Sequence, residues 1–296
     1  MKLKVISLYI LLCLVWGTTW FFIKISLEGT PPFLGAGLRF LSAGLILWGI
    51  VFWKKDYPTF DRTSIMIYLL FGGFNFGISY ALSYWATQYI YSNLSAIIWA
   101  GFPLIVTLLA HFTLPDERLN PRKIISIIIG MSGVLLIISD SGNLGGDNVL
   151  AGILTVSLAV LLAAWPNVYL KRHQGAVKPI PMNAVSQTLA GIVILTLSVL
   201  FEGGRTMTMD FTNLFALAYL TIFGTVLAWV IYVWLFSRLS ITLISYIAFF
   251  PPVVATIIGW LVLGEKLTSV TGLGALLVLT GILIMNRRRK PIQNGI

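Results

Sequence analysis

Charge is what this sequence has least of. Only 10% of its 296 residues are Asp, Glu, Lys or Arg, where a soluble globular domain carries about 25%. Such a chain cannot cover itself with polar surface in water. With 58% hydrophobic residues and a mean hydropathy of +0.92, the solvent it fits is a bilayer. Cysteine is nearly absent, and the single Cys13 excludes an intrachain disulfide and a Cys-rich metal site. His111 and His173 lie far apart, outside ordinary zinc spacing. There is no HExxH, no P-loop GxxxxGK[ST] and no pair of carboxylates within an apolar run. The loops leave no room for a catalytic domain, so the reading is no enzyme, no ATPase, no metal and no cofactor.

What is abundant is apolar sequence in runs. A helix needs about 20 apolar residues to cross the hydrocarbon core. Ten runs qualify, near 5–27, 32–53, 64–86, 93–114, 122–139, 149–170, 183–201, 213–236, 242–263 and 269–286. Charged and turn-forming stretches such as "KKDYPTFDRT", "LPDERLNPRK" and "SDSGNLGGDN" separate them. None has the apolar-polar alternation of barrel strands. The expected fold is therefore an all-α polytopic membrane protein with ten transmembrane helices.

The basic residues set an expected orientation. Sixteen of the 20 Lys and Arg fall in alternate segments on one side, among them Lys54, Lys55, Arg122, Lys123, Lys171, Arg172 and Arg287 to Lys290. Only Arg205 and Lys266 fall on the other, and Lys24 and Arg39 lie within spans. By the positive-inside rule both termini are cytoplasmic. The net charge of +10 then reflects topology and anionic headgroups, not nucleic acid.

"FPLIVTLLAHFTLPDERL" from Phe102 and "FPPVVATIIGWLVLGEKL" from Phe250 begin 148 residues apart. At that shift Pro103 meets Pro251, Glu117 meets Glu265, Gly133 meets Gly281 and Tyr84 meets Tyr232. Residues 1–140 and 147–290 thus form two five-span repeats, with 291–296 as a cytoplasmic tail. An odd number of spans makes the second repeat enter from the opposite side. Such inverted repeats are typical of secondary transporters, with the substrate site near the midplane between the halves.

"VWGTTWFFIK", "LRFLSAGL" and the paired "P…GE(K/R)L…TG" ends resemble the EamA branch of the drug/metabolite transporter superfamily. The resemblance implies ten helices, a central cavity and movement of small metabolites, often amino acids, across a bacterial plasma membrane. It leaves the substrate and oligomeric state open. A nucleotide-sugar or sugar-phosphate carrier and a passive channel are the alternatives. The former would want several cations near the midplane, where only Arg39 qualifies.

Candidate site residues follow from cost. Polar groups at membrane depth need partners or water. Asn75, Ser79 and Ser83 form a four-residue-spaced stripe with Tyr80 and Tyr84 beside it, and Asn167 and Gln187 are weaker candidates. Trp16, Trp99, Trp165, Trp229, Tyr232 and Tyr246 are aromatics deep enough to wall a cavity, with Trp16 and Trp165 in comparable places of the two repeats. Pro103, Pro251 and Pro252 are placed mid-span to kink helices four and nine. Lys24 and Arg39 are possible sites for a substrate carboxylate, against snorkelling for Lys24 and pairing of Arg39 with Glu28. All ten acidic residues sit in loops or at span ends, which favours facilitated diffusion, exchange or weakly coupled transport.

Overall fold

The computed structural model describes residues 2–114, 118–140, 147–173, 175–236, 238, 247, 250–265 and 267–286. Among these there is no strand. Eight helices are long and apolar enough to span a membrane: α1 (Leu3–Gly29), α2 (Pro32–Lys54), α3 (Arg62–Thr87), α4 (Ser92–Thr113), α5 (Pro121–Ser139), α6 (Val149–Arg172), α7 (Pro179–Phe201) and α8 (Phe211–Leu235). Two shorter ones, α9 (Phe250–Leu263) and α10 (Ser269–Asn286), complete the set of ten.

Local sequence explains where the helices start. Proline occupies the first turn of α2, α5 and α7, where its missing N–H costs nothing. Asp61 caps α3 by accepting from the Thr63 and Ser64 amides at 3.0 and 3.1 Å, and Asp210 caps α8 through the Asn213 amide at 2.8 Å. Hydrogen bonds from the Ser64 hydroxyl and amide hold the Asp61 carboxyl below the usual carboxylate range. A lowered folded-state pKa adds stability above the ordinary carboxylate range and loses it as pH falls through the lowered value. Asp61→Ala should therefore lower the melting midpoint at pH 7, and the gap from the parent should close on acidification. A gap that is the same at pH 7 and pH 3 would contradict this account.

The packing repeats with the two halves exchanged. The exchange swaps αn with αn+5. It turns the α1–α9 contact into α6–α4 and the α1–α8 contact into α6–α3, and all four are present. The α2–α7 and α5–α10 pairs map onto themselves and are the two most extensive contacts. Both are glycine seams. A Cβ on Gly133 would lie 2.5 Å from the Gly274 carbonyl oxygen, and one on Gly191 would lie 2.5 Å from the Leu41 nitrogen. Lipid offers no hydrophobic force to drive helices together, so close backbone approach at small residues supplies the attraction.

Helices α3 and α8 are not α-helical throughout. Leu70–Ile78 and Ile222–Leu227 are π-helical, and at the 148-residue shift these two segments overlap. The first, "LFGGFNFGI", holds three glycines and the second, "IFGTVL", one, which relieves side-chain crowding in the wider turn. Helix α4 is interrupted at Gly101, with Pro103 in the first turn of its second half. Pro251 and Pro252 lie in α9, directly after Phe250 where its described residues begin. The preceding part of the expected ninth span lies mostly outside the described residues, as does Glu117.

Three buried carboxylates clasp the face opposite the basic loops. Glu202, at the end of α7, accepts from the Phe33 and Leu34 amides at 2.7 and 2.9 Å and caps α2. Glu265, beyond α9, accepts from the Ser92 and Asn93 amides at 2.6 and 3.1 Å and from the Ser92 hydroxyl at 3.0 Å, capping α4. Asp140, at the end of α5, accepts from Thr268 and from Thr271 at the start of α10. Each links one half to the other, and each places its negative charge at the positive end of a helix dipole.

Candidate functional site

A cavity of about 210 Å³ lies between the halves. The first half supplies Trp16, Thr19, Trp20 and Ile23 from α1, Arg39 from α2, Asn75, Tyr80 and Ser83 from α3, and Ala96 to Thr107 positions along α4. The second half supplies Asn167 and Lys171 from α6, Trp229 and Tyr232 from α8, and Ile247 and Pro251. The α4 interruption and, through Asn75, the α3 π segment therefore lie at its walls, while the α8 π segment stands behind Arg39. Proline at position 103 removes an amide from the helix ladder and glycine at 101 lets the chain bend there.

Aromatic rings form the lining. The Trp16 ring lies 5.4 Å from Trp229 and 5.3 Å from Tyr232, and Tyr80 lies 6.0 Å from Trp99. These tilted spacings fall in the range at which rings attract beyond simple burial. The Trp99 indole donates to the Ser83 hydroxyl at 3.1 Å, and Ser83 in turn donates to the Ser79 carbonyl at 2.8 Å.

Arg39, one of two cations at the wall with Lys171, is 1% exposed. Its Nε donates to the Thr225 hydroxyl at 2.6 Å, Nη1 to the Tyr84 hydroxyl at 3.2 Å and Nη2 to the Gly224 carbonyl at 3.2 Å. Gly224 and Thr225 belong to the α8 π segment, and Thr225 also donates to the Leu220 carbonyl at 2.8 Å. The guanidinium stands 5.4 Å from the centre of the Tyr80 ring. Glu28 is exposed and is not its partner. In the α3 π segment, the Asn75 Oδ1 accepts from Asn167 at 2.8 Å, while its Nδ2 is buried without a partner.

Eleven of the expected residues line this cavity: Trp16, Arg39, Asn75, Tyr80, Ser83, Trp99, Pro103, Asn167, Trp229, Tyr232 and Pro251. The others lie elsewhere. Ser79 is buried and ties α3 to α6 by donating to the Ala159 carbonyl at 2.8 Å. Tyr84 stands behind Arg39 as its acceptor. Lys24 donates to the Thr87 and Ile90 carbonyls at 2.8 and 3.0 Å, closing the C-terminal end of α3. Pro252 is buried but off the lining. Trp165 is 44% exposed on the outer face of α6. At the 148-residue shift the partner of Trp16 is Ala164, which is buried. One residue is about 100° of helix, and that turns Trp165 away. Tyr246 lies outside the described residues. Residues first identified by the structure are Thr19, Trp20 and Lys171. Trp20 is one turn from Trp16, so its helical spacing was a usable signal.

Comparison with known proteins places this architecture. The profile of the EamA-like transporter family matches residues 3–139 and again residues 150–287. The chain is 27% identical to the transporter YoaV of Bacillus subtilis, covering 94% of this chain and 95% of that one. It is 28% identical to the inner membrane transporter YedA of Escherichia coli K12, over 93% and 88%. It is 27% identical to a probable amino-acid metabolite efflux pump of the same strain, over 97% of both chains. A crystallised chain superimposes with a TM-score of 0.67 at 16% identity, over 95% of this chain and 96% of its own, a match of fold. With one family profile matching each five-helix half, the chain belongs to the EamA-like transporter family.

Proposed function

We propose that this protein is a secondary transporter that exports small metabolites such as amino acids across a bacterial plasma membrane by alternating access, with both termini cytoplasmic. The observation that carries this reading is one aromatic-lined cavity walled by both halves of an exchange-related bundle. Two such halves can swap conformations and so open a shared site to one side and then the other. The direction and the amino-acid class are supported by the efflux-pump relative. The 16-to-2 bias of basic residues supports the orientation.

The size of the cavity weighs against a nucleotide sugar. Sites for drug-sized ligands run to roughly 300–1,000 Å³, and this one is about 210 Å³. The carboxylate clasps on one face favour a gated carrier over an open channel.

Counterflow in proteoliposomes tests the proposal. Vesicles loaded with mixed unlabelled amino acids should accumulate labelled ones with saturation. Trp99→Ala, which removes a wall of the cavity, should raise the half-saturating concentration at least about tenfold, the factor that 1.4 kcal/mol produces. Flux that rises linearly with concentration and is untouched by Trp99→Ala would instead fit a channel.

A further inference from the structure

Arg39 is a buried cation held only by neutral groups. A guanidinium has more N–H donors than the three used on Thr225, Tyr84 and Gly224. Taking an unpaired charge out of water costs several kcal/mol, and charged groups within a membrane are retained where they serve a pathway. Among the described residues no Asp or Glu lines the cavity beside it. Among the described residues, the counter-charge is thus missing at the place where the cargo sits. A second donor is also unpaired there, the Asn75 Nδ2, on a side chain 2% exposed. Donors without acceptors and a cation without an anion define a cargo by complement: it brings a carboxylate.

The same lining says what the cargo need not bring. With no described carboxylate on the cavity wall, an ammonium would meet only ring faces and neutral oxygens such as those of Thr19 and Ser83. The ring contacts contribute about 0.5–2 kcal/mol, and Arg39 and Lys171 on the same wall oppose them. The rest of the wall is mostly rings and aliphatic groups, with a few hydroxyls such as Thr19 and Ser83, suited to a flat or branched apolar body. We infer that the cavity recognises small apolar monocarboxylates through Arg39, with the Asn75 amide as second donor, and that an amino group on the cargo is dispensable. This deepens the carrier reading above and rests on it.

Matched ligands separate the alternatives. The purified full-length protein would be titrated in detergent, with thermal stabilisation as the readout, using L-phenylalanine, 3-phenylpropionate and L-phenylalaninamide, then the corresponding leucine and tryptophan series. Both acids of each series should bind within about fivefold of one another, because the shared carboxylate dominates. The amides should bind at least about 30-fold more weakly, as expected when a buried charged contact loses its partner. Arg39→Gln should erase the preference for acids, and Arg39→Lys should keep part of it. The wild-type series stands without either variant, so a misfolded Arg39→Gln leaves the test intact. Amides that bind as well as acids, or acids that fail to bind at all, would overturn the inference. The two readings fail separately: acids that bind without driving counterflow sink the carrier and leave the carboxylate site. Amides that exchange as fast as acids leave the carrier and sink the carboxylate site.

Discussion

Gly133→Leu should destabilise the bundle by about 3 kcal/mol or more, the upper range for overpacking a filled site. The obstacle is backbone. A Cβ at 133 would sit 2.5 Å from the Gly274 carbonyl oxygen and 2.9 Å from the Val278 nitrogen, so no rotamer change on a neighbour relieves it. Helices α5 and α10 must separate, and their seam is one of the two most extensive in the protein. Gly272→Leu is the matched control. It lies on the same α10, yet a Cβ there meets nothing within 4 Å, and removing a helical glycine is favourable by roughly 0.5–1 kcal/mol. In detergent melts the first variant should fall far below the parent, and the second should match or exceed it. Equal melting of the two would show that the seam is not held by close approach.

Glu265→Ala should cost about 3 kcal/mol, lowering the midpoint by roughly 5–10 °C. The carboxylate is 3% exposed and receives three hydrogen bonds at the first turn of α4. Its removal leaves two amides and a hydroxyl without an acceptor, under a layer that water reaches poorly. Glu265→Gln keeps one acceptor oxygen and should lose about half as much. Gly259 adds a second constraint, because a Cβ there would collide with the Glu265 carboxylate. Gly259→Ala should therefore reproduce part of the Glu265→Ala loss, and an unperturbed melt of Gly259→Ala would count against a tightly seated clasp.

The helices were legible because each run had to be about 20 apolar residues long and was bounded by charge. The repeat was legible because Pro103 and Pro251, or Gly133 and Gly281, answer one another at a constant shift. The cavity was only partly so. Large side chains such as Trp16, Trp99 and Trp229 were identifiable as candidates, but direction was not. Trp165 faces outward because a one-residue offset turns a helix by about 100°. Polar residues divide by what they can reach. Ser79 and Lys24 find carbonyls on neighbouring elements, and no sequence pattern announces a tertiary acceptor. The π turns escaped because apolar runs with glycine are equally compatible with a tightly packed α-helix. The function of the "GEKL" stretch was also hidden. Glu265 reads as a loop charge until the fold brings Ser92 beneath it.

The π turns have a mechanical consequence. Each carries a surplus of residues relative to an α-turn, so straightening one re-registers everything beyond it by about 100° of rotation and 1.5 Å of travel per residue absorbed. In α8 the segment Ile222–Leu227 ends just before Trp229 and Tyr232, which form a wall of the cavity. Absorbing one residue there would swing both rings off the cavity while leaving Phe211–Thr221 in place. Arg39 grips this segment at Gly224 and Thr225, and its overlapping counterpart in α3 carries Asn75. The bundle thus contains a pair of screws, one in each half, whose advance or return would reset half a helix without parting the glycine seams that hold the two halves together.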